Sequence, residues 1–301
     1  MSASVSSIVS DLCSLADRHG LTLSEQSLRV NELGLDYRVA TGHDLDGAEW
    51  VLRVPRREDV IPKIKIEAAV LELVRKSVAI PVPDWQICTD ELIAYPLLPG
   101  TPGVTMDAET GVQWKLEAGS HRYATDLGDL LAVLHAISHD EARATGADVL
   151  TPADVRARWR TDIDAVTDAF DVAPQLEDRW KAWLADDSYW PTWSVFTHGE
   201  IYQGHTLVDD AHAITGVLDW TTAGVGDPAK DFMFQATFAP RDAFDATVER
   251  YVARGGHIWP RLFDHCVELD AASPVGFGSY AMVTGDPEHH KAASALLNPA
   301  A

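Results

Sequence analysis

Long apolar runs are missing from this 301-residue chain. No stretch approaches the roughly 18 consecutive apolar residues of a membrane span, so no membrane partner is expected. Cysteine is scarce: Cys13, Cys88 and Cys266 stand apart without metal or redox spacing, and read most simply as buried thiols in a reducing cytoplasm. Residues 1–11 carry neither a basic stretch nor a long apolar core, so no export signal is expected and the localisation reads as cytoplasmic. Positive charge is short too, with 24 Lys and Arg against 46 Asp and Glu and a formal net charge of -22. Nucleic-acid binding needs clustered Lys and Arg, so that class is excluded. Residues 1–100 hold only -5 of this charge and the rest hold -17. A substrate of the second part is then cationic by expectation, unless the acidity serves solubility alone.

What the chain does have is concentrated between residues 198 and 231. Trp193 to Thr197 predicts a short strand of aromatic and β-branched residues running into a loop with His198, Glu200 and His205. Thr206 to Val208 predicts a second strand, Asp209 to His212 a turn, and Ile214 to Leu218 an antiparallel return. The residue before the first strand of a hairpin and the residue after the second lie together at its open end, so His205 and Asp219 should be neighbours with Glu200 close by. The result is a carboxylate able to accept a proton beside an imidazole and a second carboxylate able to serve a metal ion. Phosphoryl transfer with magnesium needs such a set and no covalent nucleophile. A surface hairpin with scattered polar residues is the alternative.

Earlier in the chain, Val5 to His19 predicts an amphipathic helix closed by Gly20. Three short strands are expected between Leu28 and Val54, broken at Gly34-Leu35-Asp36 and at residues 44–47. The strand from Trp50 to Val54 places Arg53 opposite Leu52 and Val54. A helix over Lys63 to Lys76 sets Ile64, Glu67, Leu71 and Val74 on one stripe, so Glu67 faces the packing and needs a cation; Arg53 is the candidate. Leu92 to Tyr95 reads as a strand, and Pro96-Leu97-Leu98-Pro99-Gly100 as a stiff domain boundary.

Residues 101–120 read as an insertion or substrate-side loop around Trp114. Helices are expected over Ala124 to Ile137, with His135 structural at the edge of its leucine face, and over Pro152 to Leu184, with Trp180 and Trp183 in the core. Asp227 and Asp231 are spaced to share one face of a helix starting near Pro228. The tail from Asp242 to Leu297 reads as helical, broken near Gly255-Gly256 and Pro274, with Phe277 and Tyr280 near Glu268 and Asp270.

The segment His-Gly-Glu-Ile-Tyr-Gln-Gly-His at 198–205, Val-Leu-Asp-Trp at 217–220 and Gly-Asp-Pro-Ala-Lys-Asp at 226–231 resembles the catalytic and metal-binding segments of the aminoglycoside phosphotransferase family, small-molecule relatives of protein kinases. His205, Asn31 to Arg38 and Val54-Pro55-Arg56-Arg57 resemble its macrolide 2'-phosphotransferase branch. Glu200 departs from the usual Asp and reaches one methylene further. The resemblance implies a two-lobed α/β (α+β) kinase-like fold: a small antiparallel-sheet N-lobe with one helix over residues 1–95, a hinge at 96–100, and a larger, mainly helical C-lobe over 101–301 with a catalytic-loop hairpin.

It implies transfer of the γ-phosphate of GTP, possibly ATP, to the 2'-hydroxyl of a macrolide's desosamine sugar, which inactivates the antibiotic. Glu200 would be the base, and His205 and Asp219 the Mg2+ ligands. His198 and Asp227 would brace the catalytic loop. Gly34, Leu35, Asp36, Arg53, Glu67 and the hinge residues Tyr95, Pro96, Leu97 and Leu98 would meet the nucleotide. Tyr202, Glu268, Asp270, Phe277 and Tyr280 are candidates to meet the macrolide. A kinase of another small cationic alcohol, such as an aminoglycoside or a choline-like amine, and a non-catalytic nucleotide- or drug-binding relative are the alternatives.

Overall fold

A computed structural model describes residues 5–32, 34–107 and 111–299. The first lobe begins with helix α1 (Val5–Arg18), which stops where Gly20 turns left-handed, as the glycine predicts. Strands β1 (Arg29–Asn31), β2 (Tyr37–His43) and β3 (Glu49–Pro55) follow, then helix α2 (Ile61–Ser77), β4 (Ile87–Cys88) and β5 (Ile93–Pro96). They form one antiparallel five-stranded sheet in the order β1-β2-β3-β5-β4. Alternation along β3 divides its neighbours. Leu52 packs with Leu12, Ala16, Ala40 and Leu92 under α1, while Val51 packs with Ile64 and Tyr95 on the α2 side, where Arg53 also points.

Beyond the first sheet, β6 (Thr101–Pro102) joins a different one, and Gly100 is the joint. Its φ of 106° and the 2.1 Å that would separate an added Cβ from Thr215 Oγ1 leave room only for glycine. Part of the stretch expected as a loop over 101–120 is strand instead. After β6 come β7 (Val104–Asp107) and β8 (Gly111–Trp114), an antiparallel hairpin with Trp114 half exposed against Phe238.

The second lobe is built on helices α3 (His121–Leu134), α4 (His139–Ala144), α5 (Pro152–Ala169) and α6 (Pro174–Ala185). Helix α3 starts three residues before the leucine pattern suggests because Ser120 caps it, accepting the Tyr123 N–H. Short strands β9 (Val195–Thr197), β10 (Thr206–Val208), β11 (Ile214–Val217) and β12 (Gly224–Gly226) come next, then a 3-10 turn over Pro228–Asp231. Helices α7 (Met233–Phe238), α8 (Arg241–Ala253), α9 (Leu262–Ala271), α10 (Ser273–Thr284) and α11 (Pro287–Leu297) close the fold. Pro274 sits in the first turn of α10 rather than at a wide break, as a proline lacking its N–H can. Trp180, Trp183, Trp220, Phe196 and Phe232 are fully buried and form the centre of this lobe's core. The architecture is kinase-like: a small antiparallel-sheet lobe joined to a mainly helical one.

Candidate active site

The hairpin brings its open end together as its spacing predicts. Thr206 pairs with Val217, the Leu218 N–H donates to the His205 carbonyl at 2.8 Å, and His205 Nε2 lies 3.8 Å from Asp219 Oδ2. His205 Nδ1 is 2.9 Å from the Glu200 carbonyl oxygen, which can only accept. That nitrogen therefore carries a ring proton, and Nε2 is the atom that faces Asp219. Asp219 has a φ of 57°, a left-handed conformation that a non-glycine residue adopts under constraint. The Thr221 hydroxyl donates to its Oδ1 at 2.6 Å, and the Arg53 guanidinium stands 3.9 Å away. Burial works to raise the Asp219 pKa, but Arg53, His205 and Thr221 outweigh it and hold the carboxyl down at about 2.

Glu200 lies on the loop between β9 and β10 with its side chain open to solvent in the interlobe cleft. The crowding of the cleft around it still pushes its carboxyl above the ordinary range; Asp219 adds to the rise and His205 opposes it. Three devices fix the loop. Gly199 has a φ of 86°, and a Cβ there would meet the Thr222 carbonyl at 2.5 Å. His198 is fully buried; its Nε2 donates to the Leu218 carbonyl at 2.9 Å and its Nδ1 accepts the Glu200 N–H at 3.3 Å. Burial, with His205 nearby, pushes this imidazole down to about 4, so it stays neutral and keeps that tautomer.

The third device is Asp231, whose two carboxylate oxygens accept the backbone N–H groups of His198 at 2.9 Å and Gly199 at 2.8 Å. This corrects the bracing role expected of Asp227. Asp227 caps the 228–231 turn by accepting the Ala229 N–H, and its other oxygen takes His265 Nε2 at 2.7 Å. It reaches the loop only through the elements that it holds. Asp231 also meets His135 Nε2 at 3.3 Å, which gives that helix-edge histidine its structural place.

Arg53 comes from the other lobe. Its Nη1 donates to Glu67 Oε1 at 2.7 Å, both side chains are buried, and its guanidinium stacks 4.1 Å from the Tyr37 ring centroid. Burial raises the Glu67 pKa and Arg53 opposes that rise. Glu67 Oε2 and the Tyr37 hydroxyl, both buried, have no hydrogen-bond partner. The guanidinium is thus held between Glu67 and Asp219, at the seam of the lobes. Gly34, Leu35 and Asp36 form the turn before β2, where Arg57 donates to the Leu35 carbonyl and to Asp36 Oδ1. In the stretch expected as a hinge, Tyr95 is buried with its hydroxyl pushed up to about 12 by that burial, Pro96 and Leu97 are exposed, and Leu98 is half-buried. The Leu97 N–H donates to the Glu49 carbonyl at 2.8 Å, so it is not free to read a nucleotide edge.

A cleft of about 1020 Å³ opens between the lobes, with Glu200 and Tyr202 in its lining. Asp270, Phe277 and Tyr280 also line it. Glu268 does not: Arg179 binds its carboxylate at 2.7 and 3.2 Å, because successive residues of a helix turn by about 100° and Glu268 therefore points elsewhere than Asp270. Sequence reasoning missed Asp162, Trp159, Lys230 and Phe234 in this lining. Asp162 follows Trp159 by three residues on α5, a spacing that signals a shared helix face, but nothing local says that the face meets the cleft.

The pattern of the APH phosphotransferase enzyme family matches residues 28–264. The chain belongs to this family. It is 50% identical to the macrolide 2'-phosphotransferase MphH of Brachybacterium faecium, whose apoenzyme crystal structure superposes with a TM-score of 0.89 over 97% of this chain and 99% of that one. A structure of a type I macrolide 2'-phosphotransferase is 37% identical, with a TM-score of 0.90 over 99% of each chain. An uncharacterized protein of Bacillus subtilis (strain 168), YcbJ, is 36% identical over 285 residues, 94% of this chain and 93% of its own. Family membership and these neighbours make the protein a small-molecule kinase.

A kinase of this family needs a divalent cation beside its nucleotide, and the donor set suits one. Among the described residues no three His, Cys, Asp or Glu side chains converge. Magnesium does not require that, since it usually takes one or two protein carboxylates together with phosphate oxygens and waters. Asp219 is ionised well below neutral pH, and His205 presents its Nε2 beside it. The carboxylate suits so hard an ion directly, the imidazole through a water molecule.

Proposed function

We propose that the protein transfers the γ-phosphate of GTP, or of ATP, to the 2'-hydroxyl of the desosamine sugar of a macrolide antibiotic, which inactivates it. The cleft around Glu200 carries this reading. It is large, walled by Leu35, Ile66, Trp159, Phe234 and Phe277, and its acids are offset by cations: Glu67, Asp148 and Asp227 are paired with Arg53, Arg158 and His265, and Lys63 and Lys230 share the lining. A macrolide offers a broad apolar ring and one dimethylammonium group, which such walls and largely offset acids fit. A polyamine would favour the reverse. Likeness to macrolide 2'-phosphotransferases at 50% and 37% identity over nearly the full chain supports the same acceptor.

In this reading Glu200 orients the sugar hydroxyl and accepts its proton, and its raised pKa makes it the stronger base. Arg53, steadied by Glu67 and Tyr37, meets the α- and β-phosphates with a fork that a lysine lacks. Asp219 and His205 would hold Mg2+, which would supply positive charge to offset that of the phosphates. The N-lobe is assigned to residues 1–95, the hinge to 96–100 and the C-lobe to 101–301, and the compartment to the cytoplasm.

Mass spectrometry of erythromycin incubated with the protein, Mg2+ and either GTP or ATP tests the proposal. One added phosphoryl group with the wild type and none with Glu200→Ala is the expected result, and the two nucleotides are ranked in the same run. Unmodified erythromycin with both nucleotides refutes the acceptor, and a panel of aminoglycosides and choline then identifies the class.

A further inference from the structure

Arg57 closes the run Val54-Pro55-Arg56-Arg57, and the chemistry above leaves it without a part. Its guanidinium is committed in several directions. Nη1 donates to the Leu35 carbonyl at 2.9 Å, Nη2 to Asp36 Oδ1 at 2.7 Å, and Nε to Asp59 Oδ1 at 2.9 Å. Arg57 also crosses the seam between lobes. Nη1 lies 3.4 Å from the Tyr280 hydroxyl, and the guanidinium carbon 5.4 Å from the centre of that ring. A lysine could make one of these contacts at a time, whereas the planar fork makes them together.

The two ends of this contact face different ligands. On one side is the turn over residues 34–36, assigned by the family resemblance to meet the nucleotide; Glu32, gripped by Arg38 and Arg56, fixes its other flank. On the other is α10, whose Tyr280 and Phe277 line the cleft. Leu35 lines that cleft too, with half its surface exposed. An acceptor in the cleft therefore touches both the turn and the helix that Arg57 ties together.

We infer that Arg57 is a positioning residue that couples the two substrates: by joining the nucleotide-covering turn to the Tyr280 wall of the acceptor cleft, it makes binding of either ligand favour binding of the other. The inference rests on the functional reading above and adds an energetic link to it. Coupling is reciprocal by thermodynamic necessity, so nucleotide and macrolide each tighten the other by one and the same factor.

The test is a binding cycle by calorimetry on the full chain with Mg2+, using erythromycin alone, GDP alone, and each in the presence of the other. In the wild type each ligand should tighten the other by about fivefold or more, the lower end of ordinary coupling. In Arg57→Ala and Arg57→Lys the factor should fall to near one, with each ligand still binding alone. Arg57→Lys keeps the charge beside Asp36 and Asp59, so it covers the case in which the alanine variant does not fold. A merely structural role would lower melting temperature or both affinities and leave the factor unchanged, which overturns the inference. So does a wild type without coupling. Failure of erythromycin to bind at all overturns the acceptor assignment along with it, whereas binding without coupling overturns the inference alone.

Discussion

The brace on the catalytic loop gives the sharpest test of the site, because two aspartates four residues apart should behave differently. Asp231 is fully buried and accepts two adjacent backbone N–H groups, one on each oxygen. Asparagine has nearly the same shape but only one accepting oxygen, so in Asp231→Asn its amide N–H would point at one of those backbone donors. Orphaning a buried donor costs about 1–3 kcal/mol, and bonds to a charged acceptor lie at the upper end of net hydrogen-bond contributions, so a total of about 2–4 kcal/mol is expected. For a domain of this size that lowers the melting temperature by roughly 4–8 °C. The loop relaxes as well. A shift of about 1 Å in Glu200 would cost on the order of a hundredfold in kcat.

Asp227→Asn is the control. Trp183 Nε1 donates to His265 Nδ1 at 3.0 Å, so His265 Nε2 carries a proton and donates to Asp227. An asparagine amide can serve His265 or the Ala229 N–H with its oxygen, but not both, and the stability cost is again about 1–3 kcal/mol. This variant leaves both bonds from the loop to Asp231 in place, so its kcat should stay within a few-fold of wild type. Thermal melts and steady-state phosphorylation of erythromycin are the assays. Equal falls in kcat for the two variants, or an Asp231→Asn protein with wild-type melting and turnover, would refute the reasoning.

Other consequences follow from the same contacts. His198 should make stability depend on pH: the unfolded imidazole binds a proton near 6.5 and the folded one only near 4, so its contribution is complete above 6.5 and declines as pH falls through that window, by about 3 kcal/mol in all. Denaturant midpoints of wild type and His198→Asn measured from pH 7 to 4 should therefore converge on the acid side. Arg53→Ala leaves Glu67 buried without its cation and should cost about 3–5 kcal/mol, while Arg53→Lys should recover most of the stability and less of the nucleotide affinity, as separate melting and binding curves would show. Gly199→Ala forces a Cβ to 2.5 Å from the Thr222 carbonyl at a φ of 86°, so kcat should fall with nucleotide affinity unchanged; a fully active variant would mean that the loop has slack.

What the sequence made legible was set by short range and simple period. The hairpin over 206–217 follows from two apolar runs and a turn, and once it is formed His205 and Asp219 must share its end. Arg53 and Glu67 meet because two periodicities, one of a strand and one of a helix, aim them at the same layer. The pairing of β7 with β8 was missed because the glycines and threonines over 101–120 look like loop chemistry, while the pairing itself is a property of both strands together. Partners distant in sequence were invisible. Nothing near Arg57 announces Tyr280, 223 residues away, and nothing near Asp162 says that α5 flanks the cleft.

The same distinction explains which charges matter to an acceptor. The second part of the chain carries most of the net negative charge, and that alone would favour a polycation. Contacts within the fold change this conclusion. Asp148 is paired with Arg158, Asp227 with His265 and Glu67 with Arg53, so of the carboxylates lining the cleft these three are already committed. Lys230 adds a positive charge to the same lining, its ammonium 5.5 Å from the centre of the Trp159 ring. A polyamine would have to compete with Arg158 and Lys230 for the remaining acids, whereas a single ammonium on a large apolar body needs only one of them. The composition points to a cation, and the pairing inside the cleft narrows that to a cation of low charge.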